Sequence, residues 1–278
     1  MATKRANKII VSGGYKNSGK TYQTYKIIND YVNPKGGYTA RKVLIFDANQ
    51  EYTTGSVLSA GFNFSIKTIQ LKHVPLFIKH PKIEVCRVVP IKDSGVLMSI
   101  KEKKETAWKM LETFRGGLLV LDDINTYTLN VTHEEEFVGS VVNSGHRDVD
   151  IILNFQNLNM CNPVLIRNFD EARLHHQTEN VKEAKFEDRW EAYMIAQKIV
   201  DLKVDSGQPK YCLYIDNHSK KIRGNFSKKD FALACYDYMS RYNPRLIKQE
   251  QTRLKTKDQA TAAAEAIKGL FKYYGNPN

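Results

Sequence analysis

The sequence predicts an α/β fold of three layers, in which helices cover both faces of a mainly parallel central β-sheet. Short, uninterrupted apolar runs alternate with segments of helical periodicity over most of the chain. Uninterrupted apolar strands are typical of a sheet that is buried on both faces, and their alternation with helices is typical of parallel α/β folds. With 278 residues, the chain can bury a substantial core without disulfides or structural metals.

The predicted strands are apolar runs of strand length, and several end at a glycine, a proline or an acid. The first precedes Gly13, the third stops at Pro90, and the fourth meets Asp122. We predict strands at residues 8–12, 42–47, 82–89, 118–121, 149–155 and 171–175. Periodic apolar residues predict helices at about residues 19–32, 100–114, 134–144 and 181–201.

The pattern changes near residue 205, which we take as a domain boundary. Residues 1–205 are predicted to form one α/β domain, and residues 206–278 a C-terminal hairpin and helical extension that packs on it or projects from it. Turn-forming residues between two short apolar runs indicate a hairpin. The predicted extension consists of strands at 211–215 and 220–226, a helix at 228–242, and a peripheral helix or mobile arm at 245–278.

The chain is basic, with 42 lysines and arginines against 30 acids and a formal charge of +12. Such a charge favours nucleic acid or an anionic membrane as a partner and does not decide between them. No apolar stretch reaches the roughly 18 residues of a membrane helix, and the N-terminal apolar run is too short for an export signal. The cysteines show no zinc-binding spacing, which predicts reduced thiols in a cytosolic compartment: Cys86, Cys161, Cys212 and Cys235.

The most specific motif lies between the first strand and the first helix, and it fits the pattern G-x-x-x-x-G-K-[ST]. Its residues are Gly14, Tyr15, Lys16, Asn17, Ser18, Gly19, Lys20 and Thr21. In such a loop, glycines let backbone N–H groups turn towards phosphate oxygens. Lys20 would neutralise the β- and γ-phosphates, and the Thr21 hydroxyl would be a ligand for Mg²⁺. The motif therefore predicts a P-loop NTPase that binds ATP and Mg²⁺.

A second motif places two acids at the end of the apolar strand at 118–121. Ligands bind at the carboxyl ends of strands in open α/β sheets. Asp122 is therefore predicted to hold Mg²⁺, and Asp123 to orient or deprotonate the attacking water. Many ATPases carry glutamate at the second position, and aspartate is shorter by one methylene group.

Three further segments resemble the FtsK–HerA superfamily of P-loop ATPases. Residues 42–52 read KVLIFDANQEY, residues 143–157 read NSGHRDVDIILNFQN, and residues 162–166 read NPVLI. Each is similar to a family segment, and together with the phosphate loop they follow the family order from about residue 8 to residue 176.

The resemblance implies a ring-forming ATPase, a pentamer or hexamer, that pumps a polymer through a central pore. Gln156 resembles the sensor that contacts the γ-phosphate or the attacking water, Arg147 is a candidate arginine finger acting on a neighbouring subunit, and Glu51 is a candidate support for the water. A short, basic chain without an evident membrane anchor is most like a viral genome-packaging ATPase. This implies sequence-independent binding of DNA, a capsid portal or vertex protein as a further partner, and a location in the host cytoplasm or the virion.

Three alternatives remain open. A filamentous-phage-type assembly or secretion ATPase would need a membrane span. A helicase-loader-like AAA+ ATPase would need a helical lid with an arginine sensor, for which Arg241 and Arg245 are the candidates. A slow nucleotide-binding switch or scaffold would fit the shortened second acid.

Two groups of basic residues have less specific interpretations. Adjacent residues of a strand face opposite sides, so His175 and His176 are expected to pack or face solvent and not to share a metal. The basic tail is either a solvated helix face or a contact with DNA or a partner; its residues are Lys248, Arg253, Lys255 and Lys257.

Overall fold

A computed structural model describes residues 7–127 and 135–277. Its centre is a ten-stranded sheet in the order β10-β9-β8-β7-β1-β6-β5-β2-β4-β3. Strands β1 to β7 are parallel to one another, β8 is antiparallel to both β7 and β9, and β10 is parallel to β9. The strands are β1 (Ile9–Gly13), β2 (Lys42–Phe46), β3 (Ile66–Thr68), β4 (Val85–Val88), β5 (Gly117–Leu121), β6 (Val149–Phe155), β7 (Glu171–His175), β8 (Cys212–Asp216), β9 (Ile222–Gly224) and β10 (Gly275–Pro277).

Helices cover both faces of the sheet. They are α1 (Lys20–Val32), α2 (Thr54–Ser59), α3 (Val74–Lys79), α4 (Ile100–Thr113), α5 (Glu135–Val142), α6 (Pro163–Asn168), α7 (Glu183–Phe186), α8 (Trp190–Asp205), α9 (Lys228–Arg241), α10 (Arg245–Leu254) and α11 (Gln259–Tyr274). Alternate residues of a strand face opposite sides. In β2, Val43 and Ile45 pack in a core with α1 and α2, whereas Leu44 and Phe46 pack in the larger core on the other face.

The predicted three-layer fold is confirmed, and each predicted strand is present within a few residues of its expected bounds. Short elements between β2 and β4 were not predicted, because α2, β3 and α3 have only three to six residues each. The prediction for residues 134–144 is confirmed as α5 from residue 135 onward, and residue 134 lies outside the described residues.

The predicted single helix at 181–201 is wrong in its extent. The chain forms the short helix α7, then a 3₁₀ turn at Glu187–Arg189, and then α8, which continues to Asp205. Glu187 has a φ of +51°, which an α-helix does not accommodate. The apolar periodicity continues across this break, so it does not reveal the break in the sequence.

The C-terminal region packs against the rest of the described chain. It forms α10 and α11, and Ala262 and Ala263 of α11 are buried. The Phe271 ring lies edge-on to Phe231 of α9, with 5.1 Å between centroids. Of the two expectations, a peripheral helix or a mobile arm, the helical one is correct in type, but the region forms two helices and α11 packs on α9. Small alanines provide a buried face that the search for large apolar residues overlooks. The domain boundary at 205/206 stays a prediction, although β8 and β9 belong to the main sheet.

Candidate nucleotide-binding site

The phosphate loop joins β1 to α1 at the carboxyl edge of the sheet. Gly14 has no room for a side chain, because a Cβ there would lie 2.5 Å from the His175 Cβ and 2.7 Å from the Ser18 hydroxyl oxygen. Gly19 has a φ of +93° and precedes α1 without a side-chain cap. The first N–H groups of α1 therefore have no side-chain acceptor from Gly19, and a helix start of this kind attracts anions.

Lys20 and Thr21 occupy the first turn of α1. The Lys20 ammonium donates to the carbonyl oxygens of Gly14 and Tyr15, at 2.9 Å for Tyr15. Burial lowers the pKa of Lys20, although the neighbouring carboxylates of Asp122 and Asp123 act in the opposite direction. The Thr21 hydroxyl donates to the Glu51 carboxylate at 3.2 Å. Both side chains are thus held at the loop by groups that a phosphate or a cation can replace.

Asp122 lies at the end of β5 and is buried, with 4% of its surface exposed. Its carboxylate accepts from the Asn154 amide at 2.8 Å and from the Tyr52 hydroxyl at 3.3 Å. Among the described residues, no lysine or arginine forms an ion pair with it. Burial raises the pKa of Asp122 to about 7, and the nearby carboxylates of Asp123, Asp47 and Glu51 add to the effect. Such a carboxylate lacks a cation, and a metal ion would supply one.

Asp123 follows in a left-handed backbone conformation, with a φ of +44° and a ψ of +52°. Aspartate adopts this conformation more readily than most residues because its short polar side chain can bond locally. Its carboxylate accepts from the Asn49 amide at 2.9 Å and from the Gln156 amide at 3.0 Å. The turn therefore points the second acid towards two amides that come from β2 and β6.

These residues line one cavity of about 800 Å³ over the phosphate loop. The structure brings together the following predicted site residues at its wall: Lys16, Asn17, Gly19, Lys20, Thr21, Glu51, Asp122, Asp123 and Gln156. The order of the sheet explains their meeting, because β6 lies between β1 and β5 and all three strands end at this edge.

Arg147 lies at the amino ends of the parallel strands, opposite the nucleotide cavity. It ends a 3₁₀ turn at Asn143–Arg147, just before β6 begins. Its guanidinium donates to the Ser140 carbonyl oxygen of α5, and burial lowers its pKa. Arg147 therefore does not line the cavity of its own chain, and its action on a neighbouring subunit stays a prediction.

Two buried side chains of β7 form hydrogen bonds with the phosphate loop and with the first helix. Arg173 is fully buried and donates to the Thr24 hydroxyl at 2.8 Å and to the Asn154 carbonyl oxygen at 3.2 Å. His175 lies 2.9 Å from the Ser18 carbonyl oxygen through its Nδ1. Since that oxygen can only accept, Nδ1 carries the proton. Burial lowers the pKa of His175, and Arg173 adds to this effect.

His176 faces the other way, as predicted, and lies 2.8 Å from an Asp201 carboxylate oxygen of α8. In the part of the chain that is described, no group of histidines, cysteines and acids has the geometry of a metal site. Sequence reasoning did not predict roles for Arg173, Asn154 or Asn49. Arg173 and His175 are alternate residues of the predicted strand at 171–175, so they share one face of the sheet. This spacing is the signal in the sequence that could have identified them.

Two of the alternatives require an arginine sensor at the nucleotide or a membrane-spanning helix. Arg241 pairs with Asp237 on its own helix, and neither Arg241 nor Arg245 lines the nucleotide cavity. Within the described ranges, no helix combines the length and apolar character of a membrane span.

No family model matches the sequence, and no curated protein matches it. Among solved structures, the genome packaging NTPase B204 from Sulfolobus turreted icosahedral virus 2, in complex with ATP-gammaS, is similar over 78% of this chain and 96% of its own. The identity is 16% and the TM-score 0.49. The N-terminal domain of zonular occludens toxin from Neisseria meningitidis is similar over 61% of this chain and 77% of its own, with 14% identity and a TM-score of 0.34.

A third structure, the ATPase DotB of Legionella pneumophila, is similar over 62% of this chain and 41% of its own, with 10% identity and a TM-score of 0.35. The fold itself follows from the topology of the described chain. The central strand β1 leads through the phosphate loop into α1. Strand β5, which ends at the two acids, is the second strand from β1 in the parallel sheet. The chain has the α/β/α fold of a P-loop NTPase.

Proposed function

We propose that this protein is an ATP-hydrolysing motor that moves DNA, and that it packages viral DNA into a capsid as a homo-oligomeric ring. The observation that carries the proposal is the convergence of the phosphate loop, Asp122, Asp123 and Gln156 on one cavity. A phosphate cradle alone would support nucleotide binding. A cradle that faces two acids and an amide also supports a reaction at the terminal phosphate.

The residues present fit ATP with Mg²⁺. The cavity of about 800 Å³ is in the range of small-molecule sites. Thr21 and Asp122 would hold Mg²⁺, because a hydroxyl and a carboxylate are the oxygen ligands that this ion prefers. When bound, the ion neutralises charge on the phosphates. Lys20 would leave the two loop carbonyls and donate to the phosphates instead.

Asp123 is the proposed general base. It would accept a proton from water as the water oxygen attacks the γ-phosphorus, while the bond to the bridging oxygen breaks and ADP leaves with inorganic phosphate as the second product. In the structure, the Asn49 and Gln156 amides already donate to its carboxylate. Gln156 is exposed and can turn from Asp123 to a γ-phosphate oxygen, which is the behaviour of a sensor.

The polymer and the assembly belong to the same proposal. A net charge of +12 supports contacts with the phosphate backbone of DNA, which carry no sequence information. A ring of five or six subunits would place Arg147 of one subunit near the site of the next, where an arginine stabilises charge on the transferred phosphoryl group. A capsid portal or vertex protein is the proposed docking partner, in the host cytoplasm or in the virion.

The test measures ATP hydrolysis with and without duplex DNA, and displacement of a triplex-forming strand from that duplex. Wild type is expected to hydrolyse ATP faster with DNA and to displace the strand, whereas Lys20→Ala and Asp123→Asn are expected to do neither. Asparagine tolerates the left-handed conformation at position 123. A matched control is Asp148→Asn, because Asp148 is also left-handed, with a φ of +56°, and lies outside the cavity. Normal hydrolysis by both site variants would refute the assignment.

A second candidate is a nucleotide-binding switch that turns over slowly. The bonds from two amides to the short Asp123 side chain favour it, because they occupy the proposed base. The same experiment separates the two functions. Negligible turnover that DNA does not stimulate, together with tight nucleotide binding, would favour the switch over the motor.

A further inference from the structure

The loop between α8 and β8 passes directly beside the phosphate loop. A Cβ built on Gly19 would lie 3.1 Å from the Lys210 Cβ and 3.3 Å from the Lys210 carbonyl oxygen. Backbone hydrogen bonds hold this approach, since the Tyr211 N–H donates to Gln208 at 3.0 Å and the Gln208 N–H to Lys203 at 3.0 Å. Lys210 therefore has a fixed backbone position at the start of the helix that would bind phosphate.

Lys210 is one of the residues that line the nucleotide cavity, and it is exposed. Among the described residues, no carboxylate lies within ion-pair distance of its ammonium. The acids of the cavity come from the other direction, because β5 and β2 lie on one side of β1 in the sheet and β8 lies on the opposite side. A phosphate chain over the loop would therefore lie between the acids with their cation and Lys210.

We propose that Lys210 is a nucleotide-binding residue from outside the phosphate-loop motif, and that it contacts the α- and β-phosphates. The inference rests on the proposed nucleotide-binding function and adds a residue to it. Gly19 is part of the backbone that cradles these two phosphates in P-loop proteins. The four-carbon stem of lysine carries a compact charge with three donors, which suits a phosphate that it approaches from the side.

The inference gives the C-terminal region a role at the site. Lys210 lies on the connection into β8, beyond the predicted boundary at 205/206, so this region would contribute a cation to the nucleotide. ADP and ATP share the α- and β-phosphates. Removal of the Lys210 charge is therefore expected to weaken both nucleotides by the same factor.

The experiment titrates the full-length protein with a fluorescent ADP analogue in the presence of Mg²⁺ and then displaces it with ADP or ATP. Lys210→Met retains the aliphatic stem and removes the charge, whereas Lys210→Arg retains the charge. We expect about tenfold weaker binding of both nucleotides by Lys210→Met, as for the loss of one charge-assisted hydrogen bond. Lys210→Arg should bind within about twofold of wild type. The matched control Lys229→Met, on the exposed side of α9, should bind as wild type.

Two results would overturn the inference. Wild-type affinity of Lys210→Met would show that the charge is not used, and a loss for ATP alone would place the contact at the γ-phosphate. Lys20→Ala separates this failure from that of the proposed function. If Lys20→Ala loses nucleotide and Lys210→Met does not, only the Lys210 inference fails. If wild type itself binds no nucleotide, both fail.

Discussion

Two buried aspartates lie at opposite ends of the parallel strands, and they have different hydrogen-bond and ion-pair partners. At the amino edge, Asp150 accepts from the Tyr31 hydroxyl and the Lys8 N–H, each at 2.6 Å, and forms an ion pair with Arg41. At the carboxyl ends of the strands, the side-chain donors to Asp122 among the described residues are one amide and one phenol.

Burial raises the pKa of both carboxyls. At Asp150 the hydroxyl, the N–H and the guanidinium oppose the rise. At Asp122 the amide opposes it, neighbouring carboxylates add to it, and the pKa reaches about 7. The fold therefore supplies Asp150 with a cationic partner, whereas among the described residues Asp122 has none, and the proposed Mg²⁺ would supply one.

The largest expected effect concerns activity. Asp122→Asn should lower ATP hydrolysis about a thousandfold in the presence of Mg²⁺, because the neutral amide is a poor ligand for the ion that neutralises the phosphates. Its stability without nucleotide should not fall. Steady-state hydrolysis and chemical denaturation check the two statements. Wild-type turnover by this variant would contradict the proposal that Asp122, unlike Asp150, acts as a ligand for a metal ion.

The second prediction concerns the other edge. Asp150→Ala should lower the free energy of unfolding by about 3 kcal/mol, because it leaves an arginine and two neutral donors without their acceptor in a buried place. Denaturant titration measures the loss. Hydrolysis per folded molecule should stay near wild type. Asp148→Asn, whose side chain is 41% exposed and also contacts Arg41, is the control and should lose less than about 1 kcal/mol.

The third prediction sharpens the comparison through pH. The pKa of Asp122 is raised to about 7 from an ordinary 3.8. Between these two pH values, Asp122 is protonated in the folded protein and ionised in the unfolded chain. The unfolded state then binds fewer protons, so this group's stabilisation is complete below about pH 4 and is lost as the pH rises through 7.

Asp122→Asn lacks this titration. In a chelator-containing buffer, the unfolding free energy of this variant should rise by about 3 kcal/mol relative to that of wild type between pH 4.5 and 7.5, at a slope below the limit of about 1.4 kcal/mol per pH unit. Parallel pH profiles of the two proteins would contradict the raised pKa.

The smallest expected effects come from the two phenols. Tyr31→Phe removes a 2.6 Å bond to Asp150 and should cost about 1.5 kcal/mol. Tyr52→Phe removes a 3.3 Å bond to Asp122 and a 3.2 Å bond from the Asn154 amide, and it should cost about 1 kcal/mol, because long bonds are weak. Thermal or denaturant unfolding of both variants provides the ratio. Equal losses would indicate that the two acids are equally well held.

The sequence predicts the carboxyl-edge site better than the amino-edge cluster. Phosphate loops have a fixed spacing in the chain, and Asp122 and Asp123 follow an apolar strand, so local patterns are sufficient. The Asp150 cluster joins Lys8, Tyr31 and Arg41 from three distant segments, and no local pattern marks them as partners.

The same reason explains what was missed at the site. The strand order β8-β7-β1-β6-β5-β2 brings Asn49 and Lys210 to the cavity and Asn154 to Asp122, and the hydrophobic pattern defines strands without their order. Arg147 is assigned to a neighbouring subunit by the family resemblance alone, and its place in the chain near Gln156 does not bring it to the site of its own chain. A strand of seven residues, β6, separates the two, and they lie at opposite edges of the sheet.

The pairing of β1 has a consequence for the order in which the protein is made and folds. The strand that carries the phosphate loop leaves the ribosome before its two partners among the described strands, β6 and β7, and Lys8 contacts Asp150 across 142 residues. Closing so long a loop is entropically costly, and such contacts form late. A nascent chain that ends before β6 has neither neighbour, and one that ends between β6 and β7 has β6 alone. The ability to bind nucleotide is therefore expected to arise only after β7 has left the ribosome, although the phosphate-loop motif already ends at Thr21.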